Sequence, residues 1–283
     1  MNTEQLKTFL SLVETKSFSR TAENLIVYQS TISKRILELE KEVDQKLFNR
    51  GQGGVTLTRA GRTFLEYAEQ IVNMEDKALI QIKRTNQYSD YFILGSAYAY
   101  YDIHLHEHLR RFSEMYPDVS VRVKVGHTGV ILNELKRTLI DIAFTHHPFY
   151  SPEYVCKCVG EDDVVLVTDA QNTIFEKGIS YTQIKNLPIL DTNFLYVPTR
   201  HWLFPKQHQF QLEFDVATCA VPLLTGSKWY ALLARKQIEQ KISSGLLREI
   251  PVNDGEIPPV QHYVVYRKGI ESQNSILKML CYG

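Results

Sequence analysis

The sequence has few of the features that mark secreted or membrane-embedded proteins. Only four cysteines occur in 283 residues, and they form no zinc-type pairs, which argues against a disulfide framework and predicts reduced thiols. No apolar run approaches the roughly 18 residues that a bilayer-spanning helix needs, and no basic and apolar leader opens the chain. We therefore expect a soluble cytoplasmic protein.

Net charge and catalytic motifs are also missing. The 32 Lys and Arg residues balance the 32 Asp and Glu residues, so nucleic-acid binding would require local clustering of basic residues. Residues 1–62 have such a bias, with ten basic against seven acidic side chains. There is no G-x-S-x-G elbow, no phosphate-binding glycine loop, no H-E-x-x-H pair and no convincing catalytic triad. We expect no enzymatic activity.

What the chain does contain is a compact helical pattern over residues 18–50. In its second half, Ile32, Ile36 and Leu39 recur at steps of four and three, which predicts a helix with one buried stripe and a free polar face. A shorter helix precedes it, with Ser17 in the N-cap position, and a tight turn joins the two. This pattern is typical of a helix-turn-helix, whose second helix enters the major groove of DNA.

The flanking segments complete a winged domain. Residues 2–15 predict a helix that supplies the third wall of the core. Residues 47–58 contain three glycines and a short alternating strand, which predict a wing. The residues expected to contact DNA are Gln29, Ser30, Thr31, Ser33, Lys34, Arg50 and Arg59. Alternatively, this face is solvated or contacts another protein, and only DNA binding should weaken steeply with salt.

Residues 60–84 predict one long helix that contains no proline. It carries two adjacent apolar stripes with a seven-residue repeat. The stripes are Phe64, Ile71 and Ala78, and Leu65, Val72 and Leu79. This is more apolar surface than a lone helix keeps in water, so we expect a partner helix from a second copy of the chain. The protein is therefore predicted to be at least a homodimer that reads two half-sites.

Beyond a polar boundary at residues 85–90, strands and helices alternate. Strands are predicted at 91–97, 119–125 and 141–145. This order predicts a parallel sheet, which would bind a ligand outside the carboxyl ends of its strands. Ser96 and Thr128 lie at strand-to-helix junctions, where a hydroxyl and the amides of a helix N-terminus can bind an anion. Helix capping alone is the other interpretation of both residues.

A second sheet-like section follows, and the chain end is expected to return to the first. Strands are predicted at 164–168, 187–191, 246–252 and 260–266, and helices at 231–243 and 272–280. This arrangement predicts two lobes with a cleft between them. His146 follows the third strand and Trp202 belongs to an aromatic-rich stretch, so we expect both at this cleft with a small-molecule effector. Ordinary loop and core packing is the alternative for each.

Two further clusters have competing interpretations. His104, His106 and His108 suggest a metal site, but only His104 and His108 share a helix face and no nearby Cys or carboxylate completes a set. We therefore expect no metal ion. Cys156 and Cys158 suggest a redox switch, but cysteines so close together rarely bridge without strain.

The segment LKTFLSLVETKSFSRTAENLIVYQSTISKRILELEKEVDQKLFNR at residues 6–50, followed by VTLTRAGRTFL at 55–65, resembles the winged helix and linker-helix start of LysR-type transcriptional regulators. The resemblance implies an α/β fold class with an all-α winged helix-turn-helix N-terminal domain, a long linker helix and a two-lobed periplasmic-binding-protein-like effector domain. The implied domains are 1–58, 59–88 and 89–283, with lobe I at about 89–160 and 260–283 and lobe II at about 161–259.

This likeness implies a sequence-specific DNA-binding regulator, controlled by a small-molecule effector between the two lobes. Its partners would be double-stranded DNA, the effector and further copies of the chain, as a homodimer through the linker helix and a tetramer, with no membrane and no other cofactor. Ser96 and Thr128 match positions that commonly hold effector in the family. Two departures are Tyr28, where a small residue is usual, and Asp44, where glycine usually ends the recognition helix.

Overall fold

The computed structural model describes residues 1–51, 54–84, 87–195 and 197–269, without the side chains of Gln81 and Arg84. The chain separates into two compact units. The N-terminal unit comprises residues 1–91 and 136–139, and the C-terminal unit comprises residues 92–135 and 140–283. No helix in the described ranges combines the length and apolar content needed to cross a bilayer.

The N-terminal unit has the predicted order of three helices, a wing and a long helix. Its elements are α1 (Thr3–Thr15), α2 (Phe18–Leu25), α3 (Gln29–Glu42), β1 (Phe48–Gly51), β2 (Gly54–Leu57) and α4 (Arg59–Arg84). Asn2 and Gln5 form the capping box of α1, because each side chain accepts a hydrogen bond from the backbone amide of the other, at 2.9 Å. Ser17 caps α2 by accepting from the amide of Arg20.

The core of this unit is built from one face of each helix. Leu6 and Phe9 of α1 meet Ile32 and Ile36 of α3, and all four side chains are almost completely buried. The ring centroid of Phe9 lies 5.1 Å from those of Phe48 and Phe64, in the first wing strand and α4. The recognition helix, the wing and the start of the long helix therefore share one rigid core.

Each predicted stripe of α4 is packed at its start and exposed further along, where Ile71, Ala78 and Leu79 reach solvent. Val72 is buried, and Phe64 and Leu65 pack against the core of the N-terminal unit. A second line of side chains along the helix, at steps of four, three, four and four, is exposed. It consists of Tyr67, Ile71, Met74, Ala78 and Ile82. We call these five residues the apolar seam of α4.

The C-terminal unit contains the remaining elements. In chain order they are β3 (Asp90–Ala97), α5 (Tyr98–Tyr100), a π-helical turn (Tyr101–Leu105), α6 (His106–Met115), β4 (Val119–Gly126), α7 (Thr128–Lys136), β5 (Ile142–Thr145), β6 (Tyr154–Asp162), β7 (Val164–Asp169), α8 (Tyr181–Ile184), β8 (Ile189–Asp191), α9 (Val197–Leu203), β9 (Leu212–Glu213), a 3-10 turn (Ala217–Cys219), α10 (Val221–Leu224), β10 (Tyr230–Ala234), α11 (Arg235–Ser243), β11 (Leu247–Ile250) and β12 (Val260–Arg267).

These strands form two five-stranded sheets. The order in the first sheet is β4-β3-β5-β12-β6, and the order in the second is β11-β7-β10-β8-β9. Both are mixed sheets, whereas the sequence predicted a parallel sheet for the first. In the first sheet β3 and β5 run parallel, but β12 pairs antiparallel with both β5 and β6. In the second sheet β10 runs parallel to β8 and antiparallel to β7.

One predicted element is wrong in its first part. Residues 231–243 were expected to be one helix, but Tyr230–Ala234 is the central strand of the second sheet and the helix begins at Arg235. All five strand residues are buried, which means that both faces of this strand are covered. A run that is apolar on every face has no period that separates strand from helix. The helix predicted at 272–280 lies outside the described residues.

Candidate functional site

The start of α3 presents polar side chains to solvent. The predicted base-reading residues are exposed or half-buried, namely Gln29, Ser30, Thr31, Ser33 and Lys34. Ser19 of α2 donates a hydrogen bond of 3.2 Å to the side chain of Gln29. Lys34 lies 3.9 Å from its nearest carboxylate, that of Glu38, and both side chains are well exposed, so this pairing is weak. The result is a polar surface with one exposed lysine on a rigidly packed helix.

A buried carboxylate fixes the end of α3 against the wing. Glu40 accepts hydrogen bonds from the backbone amides of Leu47 and Phe48, at 2.8 and 3.2 Å, and from the ammonium group of Lys46 at 2.8 Å. Burial raises the pKa of Glu40, but these hydrogen bonds lower it by more, so the pKa lies below its ordinary value. The ionised side chain therefore orients the first wing strand relative to the recognition helix.

The two predicted wing arginines are both exposed. The Arg50 guanidinium carbon lies 4.6 Å from the ring centroid of Phe18, so a cation–π contact holds this side chain beside the start of α2. Arg59 is the first residue of α4. Within the N-terminal unit, both side chains are therefore open to solvent.

Two apolar residues of the turn before α3 were not predicted to belong to this surface. Ile26 is 91% exposed and Tyr28 is 83% exposed. Ile26 also has a φ of 55°, a left-handed conformation that costs energy for a β-branched residue. The sequence does contain a signal for them, because neither side chain falls on the buried stripe of α2 or α3.

A cavity of about 220 Å³ in the C-terminal unit is lined by residues at or just beyond the ends of strands from both sheets. Its first wall comes from the ends of β3, β4 and β5 and includes Thr128, His127 and His146. Its second wall follows β8 and β9 and includes Asn193 and Asp215. Within the described residues, no lysine or arginine lines it. The size suits a small metabolite, because drug-sized ligands occupy roughly 300–1,000 Å³.

The structure brings together two of the four predicted effector residues. Thr128 and His146 both line the cavity, and the amide of His146 donates a hydrogen bond of 3.3 Å to the Thr128 hydroxyl. Ser96 does not line it, since it is completely buried and its hydroxyl donates to the carbonyl of the next residue at 3.1 Å. Trp202 does not line it either, because its ring packs on Tyr181 at a centroid distance of 4.4 Å.

The second wall was not predicted residue by residue. Thr192 and Asn193 directly follow β8, and Asp215 closely follows β9, which runs parallel to β8. Ligand sites at the carboxyl ends of parallel strands are the general expectation, so accurate strand ends would have located these residues. The irregular sequence around β8 and β9 concealed them, since these strands contain only three and two residues.

Behind the cavity wall, His146 begins a buried chain of titratable groups. Its Nδ1 lies 3.1 Å from Nδ1 of His262, and Nε2 of His262 lies 2.7 Å from the carboxylate of Asp162. Nε2 of His104 lies 3.0 Å from both oxygens of the same carboxylate. Nε2 of His146 is buried and has no hydrogen-bond partner in the part of the chain that the structure describes.

Burial and hydrogen bonding shift the pKa values of Asp162 and His146 in this chain. Burial raises the pKa of Asp162, but the hydrogen bonds with His104 and His262 lower it by more, so its pKa lies well below the ordinary value. Burial, followed by the charges of His262 and His147, lowers the pKa of His146 to about 3. The carboxylate thus accepts from Nε2–H of His262. In the His262 tautomer that carries its proton on Nε2, Nδ1 accepts from Nδ1–H of His146, whose Nε2 is left as an acceptor.

Comparison with known families gives two matches that together span most of the chain. Residues 3–62 match the family described as bacterial regulatory helix-turn-helix protein, lysR family. Residues 89–279 match the LysR substrate binding domain.

Curated relatives are transcriptional regulators with moderate sequence identity. GltR of Bacillus subtilis, an HTH-type transcriptional regulator, is 24% identical over 268 residues, which cover 90% of this chain and 86% of the relative. HdfR of Escherichia fergusonii, another HTH-type transcriptional regulator, is 27% identical over 242 residues, which cover 84% of this chain and 78% of the relative.

Solved structures share the fold along the chain. CbnR, a LysR family transcriptional regulator, aligns with a TM-score of 0.66 and 17% identity over 99% of this chain and 96% of its own. Full-length CbnR complexed with its target DNA aligns with the same score and identity over 95% of this chain and 94% of its own. A full-length OxyR variant from Pseudomonas aeruginosa has a TM-score of 0.66, 15% identity and coverage of 99% and 93%.

Proposed function

The chain belongs to the LysR family of bacterial transcriptional regulators, and we propose on that basis how its parts divide the work of a DNA-binding, effector-responsive regulator. Proteins of this family bind DNA and are not enzymes. We assign residues 1–58 to DNA binding, 59–88 to the linker helix and 89–283 to effector binding, with lobe I at 89–160 and 260–283 and lobe II at 161–259. A cytoplasmic location follows from access to DNA.

DNA recognition rests on one observation, the polar start of α3 on a fully buried stripe. Gln29 and Ser30 occupy the first turn of that helix, the part that reaches base edges in helix-turn-helix proteins. Lys34, Arg50 and Arg59 supply positive charge for phosphates, which fixes the position of the helix in the major groove. Gln29 suits an adenine, because its amide can both donate and accept in the groove.

This assignment is tested by Lys34→Ala, with Lys41→Ala as the matched control. Both lysines are exposed on α3, but Lys41 lies in its last turn, away from the proposed base-reading end. The DNA ligand would be a genomic fragment that the parent protein retains. Lys34→Ala should weaken binding to this fragment and reduce the slope of log affinity against log salt concentration by about 1. Lys41→Ala should change neither. Equal effects of the two variants would mean that α3 docks differently, and a slope near zero would favour a protein partner over DNA.

For the C-terminal unit we propose a small effector that carries an anionic group and a hydrogen-bond donor, such as an amino acid or hydroxy acid. The amides in the first turn of α7 and the Thr128 hydroxyl suit the anionic group. The carboxylate of Asp215 and Nε2 of His146 suit the donor, since both accept hydrogen bonds. Such a ligand would connect the two walls and bias the regulator by binding one arrangement more tightly.

Thr128→Val tests this cavity, with Trp202→Ala as the control. A panel of small amino, hydroxy and unsubstituted carboxylic acids would be screened by thermal shift, and the best ligand titrated into each variant. Thr128→Val removes a hydroxyl at the cavity, so affinity should fall about fivefold to tenfold while DNA binding without effector is unchanged. Trp202→Ala should leave affinity unchanged. The reverse pattern would place the effector near the aromatic pair of Trp202 and Tyr181 instead.

We further propose a homodimer through the apolar seam of α4. The seam places five exposed side chains in one line at heptad-like spacing. An ordinary surface helix exposes only scattered apolar residues. Pairing of such dimers would give the tetramer that the family resemblance implies. In sedimentation experiments, Ile71→Glu should lower the association state, whereas Glu66→Gln, an exposed change on the same helix, should not. Unchanged association of Ile71→Glu would place the dimer interface elsewhere.

A further inference from the structure

Three side chains from distant parts of the C-terminal unit converge beside the cavity. His104, Asp162 and His262 each offer one nitrogen or oxygen atom, and these atoms all lie within 4.8 Å of one another. Asp162 and His262 are buried, while His104 retains 19% exposure of its side chain. Burial of a carboxylate and two imidazoles costs free energy unless their polar atoms are paired, so such a cluster is unusual in a protein core.

The backbone departs from regular geometry next to both histidines. His104 lies in the π-helical turn, which interrupts the helix between β3 and β4. The pairing register of β12 with β6 shifts between His262 and Tyr263. Asp162, the third member, is the last residue of β6. Single π-turns and β-bulges commonly re-aim side chains at functional sites, so two such irregularities around one cluster indicate that its geometry has a use.

We propose that His104, Asp162 and His262 bind a divalent transition metal ion of the zinc type, a site that the sequence did not predict because its ligands are far apart in the chain. Imidazole and carboxylate donors suit zinc and its neighbours, whereas calcium and magnesium prefer oxygen ligands alone. One carboxylate and two neutral imidazoles leave the bound ion with one net positive charge. Three protein ligands leave a fourth tetrahedral position for water or another small ligand.

The distances fit this assignment after a small adjustment. Ligand atoms about 2.0–2.1 Å from a tetrahedral zinc ion lie about 3.3 Å from one another. The shortest nitrogen-to-oxygen distances here are 3.0 Å for His104 and 2.7 Å for His262, both to Asp162. These two distances need to lengthen by a few tenths of an ångström when the ion enters, and the two histidine nitrogens lie within 4.8 Å of each other. The partly exposed His104 gives the ion a path from solvent.

His146 supplies the outer partner that a metal-bound histidine requires. When Nε2 of His262 binds the ion, its proton resides on Nδ1, which can donate to Nδ1 of His146 at the observed 3.1 Å. The proton of His146 then resides on Nε2, which changes from an acceptor to a donor. Metal binding would thus alter the hydrogen-bonding character of the cavity wall. This last consequence rests on the proposed effector cavity, whereas the metal site does not.

The test is a titration of the full-length, chelator-treated protein with Co²⁺, whose visible absorption reports tetrahedral nitrogen and oxygen ligands. We expect one Co²⁺ per chain, displaced by Zn²⁺. His104→Gln and Asp162→Asn should each weaken binding at least about 100-fold, the upper limit expected for losing an outer partner alone. His106→Gln is the matched control, because His106 is an exposed histidine two residues from His104, and it should bind as the parent does.

A second measurement needs no variant and therefore does not depend on variant folding. In the parent protein, Co²⁺ should shift the ring-proton NMR signals of His104, His262 and His146 more than that of His106. The proposal is overturned if the parent protein shows no saturable Co²⁺ absorption, or if His104→Gln and His106→Gln bind Co²⁺ equally. Neither measurement involves the effector, so failure of the metal site would leave the effector proposal standing.

Discussion

Replacement of Glu40 by alanine should disconnect the wing from the recognition helix. The Glu40 side chain is 6% exposed and accepts from the amides of Leu47 and Phe48. Alanine would leave both amides near the end of α3 without this acceptor. A buried donor left unsatisfied costs about 1–3 kcal/mol. Water can reach part of this region, so we expect the two unsatisfied amides together to destabilise the N-terminal unit by about 2–4 kcal/mol.

Lys46→Met is the matched control for this prediction. Lys46 contributes the ionic partner of Glu40, but its side chain is 70% exposed, so the pair itself should contribute at most about 1 kcal/mol. The buried amides, and not the ion pair, are therefore expected to carry the effect. If Lys46→Met destabilised the unit as much as Glu40→Ala, the ion pair would be the main stabilising contact and the reasoning would be wrong.

The assay is hydrogen exchange of the α3 amides of Ile36 and Leu39 in the full-length protein, because both side chains belong to the buried core and report opening of this unit. A loss of 2–4 kcal/mol corresponds to exchange about 30- to 700-fold faster. The effect should also depend on pH. Since the folded pKa of Glu40 is lowered, its stabilisation is present above the unfolded value of about 4.3 and is lost as the pH falls through the folded pKa. Parent and Glu40→Ala should therefore converge in acid.

Two further changes test the backbone of the N-terminal unit. Gly61 lies inside α4, where replacement of glycine by alanine normally stabilises by up to about 1 kcal/mol. In Gly61→Ala, however, the new Cβ would overlap the Leu47 carbonyl oxygen. We expect a loss of about 1–3 kcal/mol in urea unfolding, and a gain would contradict the observed close approach. Ile26→Asn should relieve the left-handed strain and stabilise by about 1 kcal/mol. A lower melting temperature for this variant would mean that exposed Ile26 makes a stabilising contact.

Local patterns predicted the N-terminal unit well because its information is local. Ile32, Ile36 and Leu39 define the buried face of α3 through helical spacing alone, and the structure buries all three. The same method was wrong for residues 231–234, where burial on both sides of a central strand removes periodicity. Likewise Ser96 and Thr128 occupy similar junctions in the sequence, but Ser96 points into the core and only Thr128 lines the cavity.

By itself, the sequence determined the helix-turn-helix, the wing, the long helix and the alternation of strands and helices, because spacing, caps and glycines act within a few residues. Only the tertiary structure decided that His104, Asp162 and His262 meet, across separations of 58 and 100 residues. It also decided which walls enclose the cavity. Such contacts depend on the order in which strands join their sheets, and no local preference of the chain encodes that order.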